Sequence, residues 1–467
     1  MTELGISPVV LTGFFIYATL SFFAAIIKPA AGLYSLVPVV GLGFEESGLL
    51  KGGFSLLIWG AIFIHILITR KKLRISGSIK FFLLVFFSYL LLVLSRIFLE
   101  EENAAFWLQW IAGRLGAPLS FLFLIILFIK EKRELVVFLY VLIGFTFVTA
   151  AVAILQFLNI SDFFWHMREV LGVPKSIAFF FEYKTRVSGL SSYVVPLSYQ
   201  LLSVIPLLVV FSMVKIKLFL PKKAIVLITA ITSIALLLTF MRSAIMGAFI
   251  GVLTVLFFMF RLKLVSRFSA AFFSIALLFL FVIVISQGNI FHRILRIDST
   301  VFERIPVTIA ASKILAMNPL GVGNEYQERV KNIYSDIESY PRAEQALVLF
   351  PHNIFLNVGI LFGWAAIILV IIFYWQLFRL LYKNTRNDDK VLQTISIGLI
   401  GSFAAYLINS LFHNSNPFVG DPFNWFFIGS AFWVIIHSRD KYAQFSPRER
   451  YNEPVMERNT MEGRQEV

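Results

Sequence analysis

The sequence predicts an all-α polytopic membrane protein, and three observations carry that expectation. Apolar runs of about 18 residues or more recur along the chain, each able to cross a hydrocarbon core about 30 Å thick. The 467 residues are 58% hydrophobic and only 15% charged, and no soluble domain of this length needs so much apolar surface. Mid-run charge is nearly absent, and helices are the open-chain way to satisfy backbone polar groups in lipid. The many Phe fit a lipid-facing surface. The absence of Cys excludes disulfides and thiolate sites.

About twelve transmembrane helices are expected, roughly over 8–27, 52–69, 80–99, 112–129, 135–158, 192–213, 222–240, 243–260, 269–286, 353–378, 391–412 and 422–437. The first run has no basic n-region and no small-residue cleavage site after it. It therefore reads as a membrane helix rather than a signal peptide. Ala30 to Gly48 is apolar but broken by Gly32, Pro38, Gly41 and Gly43, and reads as re-entrant or interfacial. Residues 1–438 then form a single transmembrane domain, with a large helical extracytoplasmic loop between spans nine and ten. Residues 439–467 form a polar, flexible tail.

Basic residues fix the expected orientation. With the amino terminus in the cytoplasm, the inner loops collect Arg70, Lys71, Lys72 and Arg74, then Lys130, Lys132 and Arg133, then Lys215, Lys217, Lys222 and Lys223, and further clusters to the tail. The short outer loops carry only Lys28, Lys51 and Arg242, while Glu100, Glu101 and Glu102 cluster outside. This positive-inside pattern places both termini in the cytoplasm. The net charge of +14 thus anchors the chain in its bilayer, and nucleic acid is not an expected partner.

Long loops escape the topology rule, so the charges in outer segments 159–191 and 287–352 are free to do chemistry. Structureless loops as long as 287–352 are rare unless functional. Phe302, Ile305, Ile309 and Leu315 fall near helical spacing, as do Tyr326, Val330, Ile333 and Ile337. Two short amphipathic helices are expected there, separated by the turn MNPLGVGN (317–324). His352 follows at the start of the next span. Asn353 can cap that helix, and the positive helix end both favours a neutral imidazole and attracts anions. His352 is therefore a candidate general base. His413 ends span eleven on the outer side and could face the same cavity. His65, His166, His292 and His437 read as structural. Glu344 and Glu325 are runner-up bases. No two His stand at metal-ligand spacing, so neither a metal nor another cofactor is indicated.

The motifs LTFMRSAIMGAFIGVLTVL (238–256), NPLGVGN (318–324) and HNIFLNVGILFGWAAIILV (352–370) occur in this order. Together they resemble the O-antigen ligase and polysaccharide polymerase superfamily, over residues ~180 to 437. Met241 stands where that pattern has serine, and Ser243 where it has glycine. Arg186-Val-Ser-Gly189 also fits the pattern, although SSYVVP after it lacks the usual Asn.

The resemblance implies a GT-C-like glycosyltransferase on the extracytoplasmic face of the bacterial cytoplasmic membrane, working without a metal. Its donor would be an undecaprenyl diphosphate-linked glycan. Its acceptor would be a glycolipid for a ligase or another lipid-linked glycan for a polymerase, and other polysaccharide assembly proteins would be partners. The diphosphate would be held by Arg186, Arg304 and Arg242, since arginine offers fixed, forked donors to phosphate oxygens. His352 would take the acceptor's proton, with Asn353 and Glu344 in support. A twelve-span transporter or flippase is the main alternative. It would call for related halves and ionisable residues near the midplane, and neither pattern is present. An intramembrane protease would need a base paired with a serine of GLSS (189–192), and none is specified. A non-catalytic envelope scaffold stays open at this point.

Overall fold

The computed structural model describes residues 8–42, 48–69, 80–100, 104, 107–108, 117–161, 187–191, 194–214, 220–264, 299–413 and 422–444. The principal elements are all helical: α1 Pro8–Ile27, α2 Pro29–Gly41, α3 Gly48–Thr69, α4 Lys80–Leu99, α5 Ala117–Phe128, α6 Lys132–Leu158 and α7 Val194–Met213. They continue as α8 Lys222–Leu238, α9 Arg242–Arg261, α10 Ser299–Met317, α11 Tyr326–Asn332, α12 Ile354–Asn384, α13 Lys390–Ser410 and α14 Pro422–Gln444. Six are long and apolar enough to cross a membrane: α4, α6, α7, α9, α13 and the part of α12 from Trp364. The chain is an integral membrane protein. The expected span 269–286 lies outside the described residues. The proposed boundary at 438/439 falls inside α14, which runs on to Gln444.

The stretch expected to be re-entrant or interfacial behaves differently. α2 has only 13 residues, about 20 Å at 1.5 Å per residue, and contains Pro38. It is buried along Leu33, Leu36 and Val37 rather than lying on a surface. Gln200 Nε2 donates to its last carbonyl, Gly41 O, at 3.1 Å. At its start, Lys28 pairs with Glu134 at 2.9 Å, in the first turn of α6. The nearby Lys132 pairs with Asp389, the cap of α13, at 2.6 Å.

Lys28 therefore sits at the basic end of the bundle, and its expected outer placement is corrected. Tyr17 stacks on Phe54, and Ile26 O lies 2.8 Å from His65 Nδ1, so α1 and α3 run parallel. Parallel neighbours require the chain between them to return from one end to the other, and α2 begins that return. Consequently the start of α1 and the end of α14 lie at opposite ends. The sequence reading gave the α2 stretch no net crossing, and the direction of α1 differs for that reason.

α9 and α13 form the tightest seam, and they are antiparallel. A Cβ on Gly247 would lie 2.5 Å from Ala405 O, and one on Gly251 would lie 2.6 Å from Gly401 O. On Gly401 it would meet Gly251 O at 2.8 Å and Pro206 Cβ of α7 at 2.9 Å. Apolar chains gain little from leaving lipid, so helix association there depends on close packing of small residues. Ser402 Oγ adds a hydrogen bond across to Ser203 O of α7, 2.6 Å long.

The helical segment from α10 to the start of α12 has its own small core. Val307, Ala310, Ala311 and Ile314 of α10 pack with Val322, Tyr326, Val330, Ile337 and Ala346. Tyr326, Val330 and Ile337 were expected on the buried face. On α10, Leu315 is buried and Ile309 packs against this core as expected, whereas Ile305 is exposed. The reason is that α10 packs against the turn Ala343–Leu347 and the start of α12, which the sequence period alone does not locate.

Gly247→Leu should lower stability by about 1–3 kcal/mol through overpacking, seen as an earlier thermal unfolding in detergent. Gly60→Ala is the control, because a Cβ there meets nothing within 4 Å. It should leave the transition unchanged or slightly raised.

Candidate functional site

Three segments grip the carboxyl end of α13. Its last carbonyls have no partner within the helix, and that end carries partial negative charge. Arg304, on the second turn of α10, donates from Nη1 to Phe412 O at 3.2 Å. Asn353 Nδ2 donates to Leu411 O at 3.3 Å. Ser243, on the first turn of α9, lies 2.9 Å from His413 Nε2 through its Oγ. The seam supplies this last contact. Ser243, Gly247 and Gly251 are spaced by four along α9, opposite Gly401, Ala405 and Asn409 of α13 and His413 three residues past its end. The turn into α9 is tight: Phe240 takes a positive φ of 52°, and Thr239 Oγ1 accepts from Met241 N at 3.3 Å.

Asn353 caps α12 as expected. Its Oδ1 accepts from Phe355 N at 2.9 Å and from Leu356 N at 3.2 Å. The preceding His352 is half-buried, with its ring 6.5 Å from that of His413. His352 Nδ1 is 3.1 Å from Phe350 O. A carbonyl can only accept, so Nδ1 carries the proton and Nε2 keeps the lone pair. Phe350 is held in turn by Tyr326, whose ring lies 5.1 Å away inside the small core of α10 and α11.

The electrostatics keep both imidazoles neutral. Burial pushes the His352 pKa below the usual range, the Arg304 guanidinium pushes the same way, and the bond to Phe350 opposes them. His413 is driven down to about 3, by burial first, then by Arg304 and His352. Burial and Arg304 thus act on these rings in addition to the helix-terminus field invoked from the sequence.

The structure brings together His352, Asn353 and Arg304, and adds His413. Arg242 is the half-buried first residue of α9, next to Ser243. Glu344 is exposed on a 3-10 turn, and Glu325 pairs with Arg329 at 2.8 Å. Arg186 lies outside the described residues, as do His166 and His292. Residues 188 and 189 are held by Gln156, whose Oε1 accepts from Ser188 N at 3.1 Å and Gly189 N at 2.9 Å. His65 and His437 serve the structure: His437 stacks on Trp433 at 3.8 Å. Ser243 is the residue that sequence reasoning missed. Its signal was present, as a hydroxyl where the resembled pattern has glycine. Among the described residues, no three His, Asp or Glu side chains form a metal-binding group.

Residues 225–371 match the family model for O-antigen ligase. The match runs from α8 into α12 and includes Arg242, Arg304, His352 and Asn353. It bears out the resemblance to the O-antigen ligase and polysaccharide polymerase superfamily. No curated protein matches the chain.

Histidine NMR should find His413 uncharged down to about pH 4. Arg304→Gln should raise the pKa of His352 and of His413, since each loses a nearby positive charge.

Proposed function

We propose that this integral membrane protein, with an O-antigen ligase domain at 225–371, is a metal-independent glycosyltransferase. It takes a glycan from an undecaprenyl diphosphate carrier and passes it to a glycan or glycolipid acceptor. The observation that carries this reading is the neutral His352 beside Arg304 at the capped start of α12. The reading places the His352 end of the bundle on the extracytoplasmic face of the bacterial cytoplasmic membrane. The basic end, with the last turns of α14, faces the cytoplasm.

The chemistry follows from the residues. The acceptor hydroxyl oxygen attacks the anomeric carbon, and the bond from that carbon to the diphosphate oxygen breaks. The hydroxyl proton passes to His352 Nε2, and the diphosphate leaves with the bonding electrons. Arg304, with Arg242 and Arg186, offsets the charge that develops on it. Attack opposite the leaving group inverts the anomeric centre. Asn353 holds the helix start, and Glu344 supports from the outer segment.

The test uses purified full chain with a lipid diphosphate-linked oligosaccharide from the host, with and without EDTA. Wild type should transfer glycan in both conditions, and His352→Ala should lose roughly 10²–10⁴-fold in rate. A ladder of longer lipid-linked chains identifies a polymerase, and transfer only to added glycolipid identifies a ligase. The acid limb of kcat/KM should fall below the ordinary histidine range and move to higher pH in Arg304→Gln. Movement of intact lipid-linked glycan across vesicles, with no transfer, would show a transporter and sink the enzyme reading.

A further inference from the structure

We infer that Arg96 and Glu100 of the α4 segment are positioning residues for His352. This rests on the reading of His352 as the base. Both are buried, at 5% and 8% exposure. Burying ionisable groups at the end of an apolar membrane helix is costly, and such groups are retained where they act. Arg96 Nη1 lies 3.7 Å from Glu100 Oε1, and Arg96 Nη2 donates to Leu320 O. Glu100 Oε2 accepts from Trp107 Nε1 at 3.0 Å and from Asn324 N at 3.4 Å. The pair therefore grips the turn 319–324 at two points.

That turn fills a break in α12. Gly363 has φ +82° and ψ −178°, a conformation that is essentially glycine-only. In a continuous helix, Trp364 N would donate to Ile360 O. Here Ile360 O accepts from Val322 N at 2.7 Å, and Trp364 N donates to Pro319 O at 2.9 Å. The turn has taken over both halves of the lost bond. Phe362, the last residue before the break, has its ring 5.6 Å from that of Tyr89 and 5.7 Å from that of Trp107.

His352 stands at the other end of the short helix Ile354–Phe362. Nine residues span about 14 Å, so a tilt of about 10° at the break moves the far end by roughly 2 Å. A misplacement of about 1 Å can cost 10²-fold in rate. Arg96 and Glu100 lie far upstream of the matched segment 225–371, so the amino-terminal part of the chain sets the aim of a residue in the matched part.

The experiment uses the full chain in lipid nanodiscs, as wild type, Arg96→Gln, Arg96→Lys and the double variant Arg96→Gln/Glu100→Gln. The double variant leaves no lone buried charge, which guards against simple misfolding. Two quantities are read: kcat and KM for the lipid diphosphate-linked donor, and amide exchange over 354–362 and 390–410. Arg96→Gln and the double variant should lose about 10- to 100-fold in kcat. Their KM should stay within about threefold, because diphosphate contacts lie elsewhere. Exchange should rise over 354–362 only, and Arg96→Lys should recover part of both effects. An unchanged kcat, or exchange rising equally over 390–410, would overturn the inference. If wild type transfers no glycan, the exchange arm decides alone. A rise confined to 354–362 then upholds the clamp while the transferase reading falls, and any other pattern overturns the clamp.

Discussion

The backbone contact between α9 and α13 is the constraint on which the rest depends. At Gly247 and Gly251 a carbonyl of the partner helix occupies the space of a missing Cβ. Helices this close have one register, because a slip of one residue would drive Ile250 or Ala248 into the seam. The register then propagates in steps of four. It ends where Ser243 meets His413, and Arg304 and Asn353 close on the same helix end. The polar site is thus the last rung of an apolar seam. Hydrophobic burial, which orders a soluble core, has little force between helices in lipid. Shape has to carry that burden here.

The second constraint is the gap in α12. Breaking a helix in a membrane exposes a donor and an acceptor that lipid cannot satisfy. The turn 319–324 resolves this by offering one of each, Val322 N and Pro319 O, at the needed places. Gly321, at φ +78°, lets the turn lie against Gly363. The glycine-rich motif is therefore a patch for a broken helix. The break in turn lets the short helix Ile354–Phe362 take its own direction, independent of the longer half from Trp364 that is long and apolar enough to cross a membrane.

Much of this was legible in the sequence. Run length alone located nearly every described helix, because lipid leaves the backbone no alternative. Asn353 was legible as a cap because capping is local chemistry. His352 and Arg304 were legible through a motif and its loop. The direction of α1 was not. It depends on whether a 13-residue broken stretch turns back or goes through, and the answer lies in distant contacts such as Lys28 with Glu134 and Gln200 with Gly41. The buried face of α10 was read only in part, with Leu315 and Ile309 packed as expected and Ile305 exposed. Its partners are the turn Ala343–Leu347 and the start of α12, and periodicity does not say which side meets them. Ser243 looked like a minor departure until α13 placed a histidine against it.

The neutral histidines bear on how such a site handles an anion. Arg304 holds a carbonyl at the negative end of α13 and depresses both imidazoles. With His352 and His413 uncharged, the positive charge at the site belongs to arginines, which do not titrate near neutral pH. A diphosphate meeting Arg304 would offset the very charge that weakens His352 as a base. Its negative charge would favour the imidazolium and raise the pKa toward the ordinary range. On the proposed reading, donor binding then strengthens the base at the moment it is needed. The free site keeps His352 a poor proton acceptor, so the same arginine both holds the leaving group and makes the readiness of the base depend on its arrival.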